Sequence, residues 1–283
     1  MRTSERGALC IRGRRLVWGE RTYIMGIVNA TPDSFSGDGR VDVTELVAYA
    51  RAQWAAGSDI LDIGGESTRP GHHAVDENTE SERVVPAIAA VRAALPDAIL
   101  SVDTYKPAVA RAAHDAGADM VNCVWGMPDA LLKIAVECRM PVIIMHNRPD
   151  TAYAGDVVDE VLAFLSEAAQ RAVQRGIPTE DVIVDPGIGF GKTAEQNLTV
   201  LAGLARLRSL GVATLLGASR KSTIGRLTGR KPQERTHGTD ATTALAIAAG
   251  IDIVRVHDVA ATRDVAGVAD AVMRGWRPAG WIE

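Results

Sequence analysis

No stretch of this 283-residue chain approaches the ~18 consecutive apolar residues that a membrane-spanning helix requires, so none is expected. Cysteine is as scarce. Cys10, Cys123 and Cys138 are widely spaced and include no CxxC pair, which argues against both a disulfide framework and a zinc knuckle. The segment MRTSERGALCIRGRR carries charge but no apolar centre, unlike a secretory signal, and a reduced, cytoplasmic protein is the expectation. Nor is there a basic field: 31 Lys and Arg face 35 Asp and Glu, a formal charge of −4. With those cations scattered, no nucleic-acid partner is expected. No linker or low-complexity segment interrupts residues 1–283, which read as one domain of a length that α/β barrels commonly reach.

What the chain does hold is eight short apolar runs, YIMGIVN, DILDIG, AILSVD, DMVNCV, PVIIMH, DVIVDP, ATLLGA and DIVRVH. Their continuous rather than alternating hydrophobicity marks strands buried on both faces, as in a parallel sheet. Each run stops at a polar residue: Asn29, Glu66 just past Gly64, Asp103, Asn122, His146, Asp185, Ser219 and His257. The spacing between successive stops mostly leaves room for a helix and two loops. That recurrence predicts a (β/α)8 TIM barrel, in which the C-terminal strand ends share one mouth.

Punctuation agrees. Gly57, Gly117, Gly176, Gly211 and Gly250 each follow a helical stretch and precede a strand, the place of a left-handed C-terminal cap. Asp42 with Glu45 has the spacing of a capping box, and Pro107 suits a first helical turn. Residues 9–18, LCIRGRRLVW, predict a short N-terminal β-hairpin turning at Arg12-Gly13 and plugging the barrel floor. The connections Thr31–Arg40, Ser67–Thr79 and Arg220–His237 are long and rich in Gly, Pro, Ser and Thr, as binding loops are.

The strand ends and their loops carry MGIVNATPDSFSGDG, GGESTRPG, SVDTYKP, VDPGIGFGK, GASRKS and RVHDV. Together, from about Tyr23 to Asp270, they closely resemble the dihydropteroate synthases of the pterin-binding barrel family. The resemblance implies a folate-biosynthesis transferase. Such an enzyme condenses 6-hydroxymethyl-7,8-dihydropterin pyrophosphate with 4-aminobenzoate to give 7,8-dihydropteroate and pyrophosphate, and is a sulfonamide target. The matching positions imply pterin binding by Asp103, Asn122, Asp185, Lys221 and Arg255. The chemistry is apt, because an amino-pyrimidinone edge offers N–H donors beside a carbonyl. Pyrophosphate is assigned to Asn29, Arg69, Arg255 and His257, and Mg2+ to Asn29, since that ion leans on substrate phosphates. Arg255 and His257, two apart on one strand, point the same way. Thr68, Pro70, Phe190, Lys221 and Ser222 match the aminobenzoate pocket. Lys221, Arg255 and His257 are the residues implied to be catalytic, with Asp38 from the first loop beside them. The family is commonly dimeric, so a homodimer is expected. His72, His73, His114 and His237 lack metal-ligand spacing and read as surface or loop residues.

Two departures stand out. The first loop reads SFSGDG where the family has SFSDGG, displacing the carboxylate to Asp38. Cys123 stands where the family usually has Asp after the fourth-strand Asn. Alternation puts residue 123 on the face opposite Asn122, so a tolerated, structural change is the favoured reading. GIGFGKT imitates a nucleotide-binding loop, but three residues separate Gly187 from Gly191 where four are needed, which argues against it. Two other readings stay open: a pterin-binding paralogue with little synthase turnover, and a folate-dependent methyltransferase barrel.

Overall fold

The computed structural model describes residues 6–31, 42–66 and 75–281. A two-stranded antiparallel hairpin, β1 (Ala8–Ile11) and β2 (Arg14–Val17), comes first. Arg12 and Gly13 both adopt positive φ, 52° and 69°, the two-residue turn whose twist suits a hairpin. Eight parallel strands then close into a barrel: β3 (Tyr23–Asn29), β4 (Ile60–Gly64), β5 (Ile99–Asp103), β6 (Met120–Cys123), β7 (Val142–Met145), β8 (Val182–Asp185), β9 (Ala213–Leu216) and β10 (Ile253–Val256), with β10 pairing back to β3. Between them run α1 (Val43–Ala55), α2 (Glu77–Ala94), α3 (Pro107–Asp115), α4 (Asp129–Cys138), α5 (Val157–Gln174), α6 (Ala194–Ala202), α7 (Ser222–Thr228) and α8 (Thr236–Ala249), and α9 (Val259–Met273) follows β10. This is the expected (β/α)8 barrel with its N-terminal hairpin.

Strand alternation sorts the side chains into two cores. Ile24, Val28, Leu61, Ile63, Leu100, Val102, Val121, Ile144 and Val184 pack outward against the helices. The intervening positions point inward, and at the floor these are Tyr23, Met25, Ile60, Ile99, Met120, Ile143, Ile183, Leu215 and Ile253. Leu9, Leu16 and Trp18 of the hairpin complete that inner cluster, so the hairpin stoppers the barrel as the sequence suggested. Two or four residues higher on the same inward rail, the side chains turn polar: Asp62, Ser101, Asp103, Asn122, Asp185 and Arg255. An apolar floor beneath a polar mouth is therefore one period-2 pattern read from bottom to top.

Helix boundaries follow local chemistry. The five glycines singled out between helix and strand all have φ between 73° and 113°. Asp42 caps α1, its carboxylate accepting the N–H groups of Thr44 and Glu45, and Pro107 opens α3. Two expectations need correction. The connection from Arg220 to His237 is not a loop, since it holds α7 and a short 3-10 turn at Pro232–Glu234. Burial of Thr223 and Ile224 anchors that helix, a tertiary contact invisible in a polar SRKS string. Strand β9 also ends at Leu216, three residues before Ser219. Gly217 follows it, its backbone beside Asp185 Oδ2.

Candidate active site

At the centre of the mouth one arginine joins three strands. Arg255 on β10 donates from Nε to Asp62 Oδ2 at 2.6 Å and from Nη2 to Asp103 Oδ2 at 2.8 Å. Asn122 on β6 donates its Nδ2 to the same Asp62 oxygen at 3.1 Å. Asp103 and Asn122 are register partners on β5 and β6, and Gly64 lies beside Asp103 on β4, where a Cβ would come within 3.4 Å of the Asp103 Cβ. The glycine leaves room at the carboxylate. Asp62 is wholly buried, and its Oδ1, like that of Asp103, has no hydrogen-bond partner among the described residues.

Burial sets the protonation states. Removal from water pushes the Asp103 carboxyl up to about 7, Arg255 opposing the shift and Asp62 adding to it. Asp185 at the end of β8 is also raised by burial, against the pull of the Gly187 N–H and of Lys221. Its Oδ1 accepts that N–H at 2.7 Å. For Arg255, burial alone would lower the pKa, but Asp62 and Asp103 outweigh it and the guanidinium is held more firmly charged. The mouth thus sets buried carboxyls around one fixed cation.

The rim carries the second group of side chains. Lys221, N-cap of α7, places its ammonium 4.0 Å from the centroid of the Phe190 ring, a cation–π contact. Ser222 is exposed at the first position of the same helix. His257, one residue past β10, is set by Ser219, whose Oγ lies 3.0 Å from Nδ1 and accepts the backbone N–H at 3.3 Å. The His257 carbonyl in turn accepts from Gln53 and Tyr49 of α1. Asn29 ends β3, half-buried. Asp103, Asn122, Asp185, Lys221, Phe190, Ser222, Arg255, His257 and Asn29 therefore all sit at the C-terminal end of the barrel. Asp38, Thr68, Arg69 and Pro70 lie outside the described residues, as do His72 and His73. His114 is half-buried beside Asp115, and His237 is exposed beside Asp240.

Sequence reasoning missed two residues and under-read a third. Asp62 was passed over as part of an apolar strand, yet its parity in ILDIG places it on the inward rail beside Ser101, and an Asp there was the available signal. Lys192, seen only as half of a false nucleotide loop, is buried beneath the segment that follows β8. Glu66 was noted as a strand stop, but the chain turns it onto Lys106, which also pairs with the buried Glu80. Cys123 behaves as alternation predicted. It is fully buried in the helix-facing core, where burial pushes its thiol up to about 11 even though the sulfur accepts the backbone N–H groups of Trp125 and Met127.

Among the described residues, no group of three or more His, Cys, Asp or Glu could hold a metal ion, and no helix is long and apolar enough to cross a membrane. Comparison with known proteins bears on what this mouth accepts. Residues 25–257 match a family model described as pterin binding enzyme. A dihydropteroate synthase of Synechocystis sp. is 46% identical over 267 residues, covering 91% of this chain and 92% of that protein. Among solved structures, the dihydropteroate synthase of Xanthomonas albilineans with 4-aminobenzoic acid superposes with a TM-score of 0.88 at 45% identity, over 94% of this chain and 97% of that one. That of Clostridium difficile, in the presence of pteroic acid, gives 0.88 at 43% identity, over 91% and 98%.

Proposed function

This chain belongs to the pterin-binding enzymes, and from that premise we propose how its barrel mouth performs the dihydropteroate synthase reaction. The enzyme is a transferase. It joins the exocyclic methylene of 6-hydroxymethyl-7,8-dihydropterin pyrophosphate to the amine of 4-aminobenzoate, giving 7,8-dihydropteroate and pyrophosphate in folate biosynthesis. The observation that carries this reading is the set Asp103, Asn122, Asp185 and Arg255, brought together from four strands. Carboxylates and an amide there complement the N–H donors of an amino-pyrimidinone, and the Arg255 plane offers a face for the fused ring.

The electron pair of the breaking C–O bond leaves with pyrophosphate, and positive charge builds on the methylene. Arg255, His257 and, from the second loop, Arg69 stabilise the departing anion. Ser219 holds the imidazole of His257 in place for that task. Phe190, Lys221 and Ser222, with Thr68 and Pro70, hold aminobenzoate so that its neutral amine faces the methylene. As the C–N bond forms, the amine nitrogen loses a proton to solvent. No covalent enzyme intermediate is required, and catalysis comes from orientation and preorganised charge. Asp38 is a further candidate to face the cationic carbon. A sulfonamide that mimics aminobenzoate would compete at the same rim.

Asn29 supplies a single amide oxygen, which fits Mg2+ only as an ion carried on the diphosphate and sharing its oxygens. When bound, the ion neutralises charge on the leaving group. We place the protein in the cytoplasm and read residues 1–283 as one domain. We also propose a homodimer. Ala241, Ala244, Leu245 and Ala248 form an exposed apolar face on α8, and beside it Val268, Val272 and Met273 stand out from α9.

The test is pyrophosphate release measured with both substrates and Mg2+. Release that depends on 4-aminobenzoate is expected, whereas release indifferent to it, or none despite tight pterin binding, would leave a binding paralogue instead.

A further inference from the structure

The segment after β8, Gly187 to Gly191, has glycine at every second position, and all three have positive φ: 69°, 82° and 54°. Side chains cannot replace them. A Cβ at Gly187 would sit 1.9 Å from the His146 carbonyl oxygen, and one at Gly191 would sit 2.5 Å from the Arg148 carbonyl oxygen. Such a strand of glycines has little intrinsic preference for one conformation, yet it carries Phe190. Its shape must be imposed from outside.

Five of its ten polar backbone groups are gripped by side chains that lie outside it. Asp185 accepts the Gly187 N–H at 2.7 Å, and Asn197 of α6 accepts the Gly189 N–H at 2.7 Å. Tyr153 donates its hydroxyl to the Gly191 carbonyl at 2.9 Å. The Lys192 ammonium lies at the centre of these contacts. It donates to the Gly187 carbonyl at 3.0 Å and the Phe190 carbonyl at 3.1 Å, and it stands 2.9 Å from His146 Nδ1 at the end of β7. Burial lowers the lysine's pKa to about 7, and in the protonated form its three N–H groups meet three acceptors. His146 is suited to the part, because burial lowers its pKa to about 3 and leaves a neutral ring whose Nδ1 accepts. Phe164 packs edge-on against that ring, at 5.0 Å between centroids, and Tyr153 stacks on it at 6.2 Å.

We propose that Lys192 is a positioning residue that ties the glycine-rich segment to His146 and so fixes the Phe190 ring against Lys221 as one wall of the aminobenzoate site. Lys192 touches no substrate, being buried beneath the segment. Its effect reaches the reaction only through Phe190. The proposal rests on the reading of the rim given above, so its test has one arm that does not need turnover.

That arm is hydrogen–deuterium exchange in Lys192→Met, a variant that keeps the apolar stem and removes the donors. Exchange should accelerate across residues 186–193 and stay unchanged across β5 and β6. Unaltered exchange in the segment overturns the brace whatever the enzyme's activity. The second arm is steady-state kinetics. For Lys192→Met, KM for 4-aminobenzoate should rise about tenfold while kcat and KM for the pterin pyrophosphate stay within about twofold. Tyr153→Phe, which loses the hydroxyl that bonds Gly191, should show the same selectivity with a smaller rise, and it decides the matter should the lysine variant fail to fold. Equal losses on both substrates, or an unchanged aminobenzoate KM, would show that Lys192 serves only general stability. Faster exchange in Lys192→Met together with no aminobenzoate-dependent turnover in the wild type would keep the brace and remove the synthase reading.

Discussion

Asp103 holds a carboxyl that burial raises to about 7, in a place where a pterin would need an ionised acceptor. In the free protein the group ionises only as the pH passes about 7, whereas the unfolded chain ionises it near its ordinary value of 3.8. The stability that Asp103 contributes is therefore fully present below the unfolded value and is lost as pH rises through about 7. Ligand binding has the opposite sense. Pterin affinity should fall about tenfold for each pH unit well below 7, because binding must then strip a proton. Fluorescence titration of a pterin across that range reads this directly, and Asp103→Asn should flatten the profile while weakening binding throughout. A slope that survives in Asp103→Asn would move the titration to another group. Asp62, with one oxygen shared by Arg255 and Asn122, supports both of the side chains proposed to meet the pterin.

The N-terminal hairpin is the element whose removal would cost most without touching chemistry. Trp18 is 1% exposed, donates its indole N–H to the Glu180 carbonyl at 3.0 Å, and meets Tyr23 edge-on at 5.8 Å between ring centroids. Emptying that position leaves a void in the barrel floor that the closed strands cannot collapse into. Trp18→Ala should destabilise folding by about 3–5 kcal/mol, in line with large-to-small aromatic changes in cores, as measured by chemical denaturation. The mouth lies at the other end of the strands, so kcat at a temperature where the variant remains folded should change less than about twofold. A variant as stable as the wild type would show the hairpin to be an ornament rather than a stopper. At β9 the contrast runs the other way. The connection that begins with GASRKS reads as loop, yet its continuation Ser222–Thr228 forms a helix because Thr223 and Ile224 have a core to enter.

For the molecule as a whole, the apolar face of α8 and α9 stands out. Val268 and Val272 are 70% and 76% exposed, and Leu245 is 64% exposed on the neighbouring helix. A standard interface covers about 800 Å² per partner, and the proposed dimer would place this face within it. A lysine in its middle would force a charge into that contact. Sedimentation of the wild type should give a dimer, and Val272→Lys should shift it towards monomer with the far-ultraviolet spectrum retained. A monomeric wild type at micromolar concentration would remove the proposal. The active-site strands lie within one barrel, so dissociation should leave pterin binding intact.

The sequence by itself determined the barrel and most of its mouth. Continuous apolar runs need two packed faces, polar stops at their ends have nowhere to go but a shared rim, and glycine between helix and strand answers a left-handed turn. Asp103, Asn122 and Asp185 were legible as such stops, Lys221 and Arg255 only through the resemblance to the pterin-binding family, and Cys123 was correctly turned away from the mouth by strand parity alone. Tertiary structure decided what depends on depth and on neighbours distant in the chain. Whether Asp62 caps, repels or supports is set by how the barrel closes, because only closure brings β10 beside β3 and lets Arg255 reach the carboxylates of β4 and β5. Lys192 likewise acquires its partners from β7 and from the backbone that folds over it. One-dimensional spacing records that such a lysine exists. It cannot record that burial strips its water and leaves two carbonyls and an imidazole in exchange.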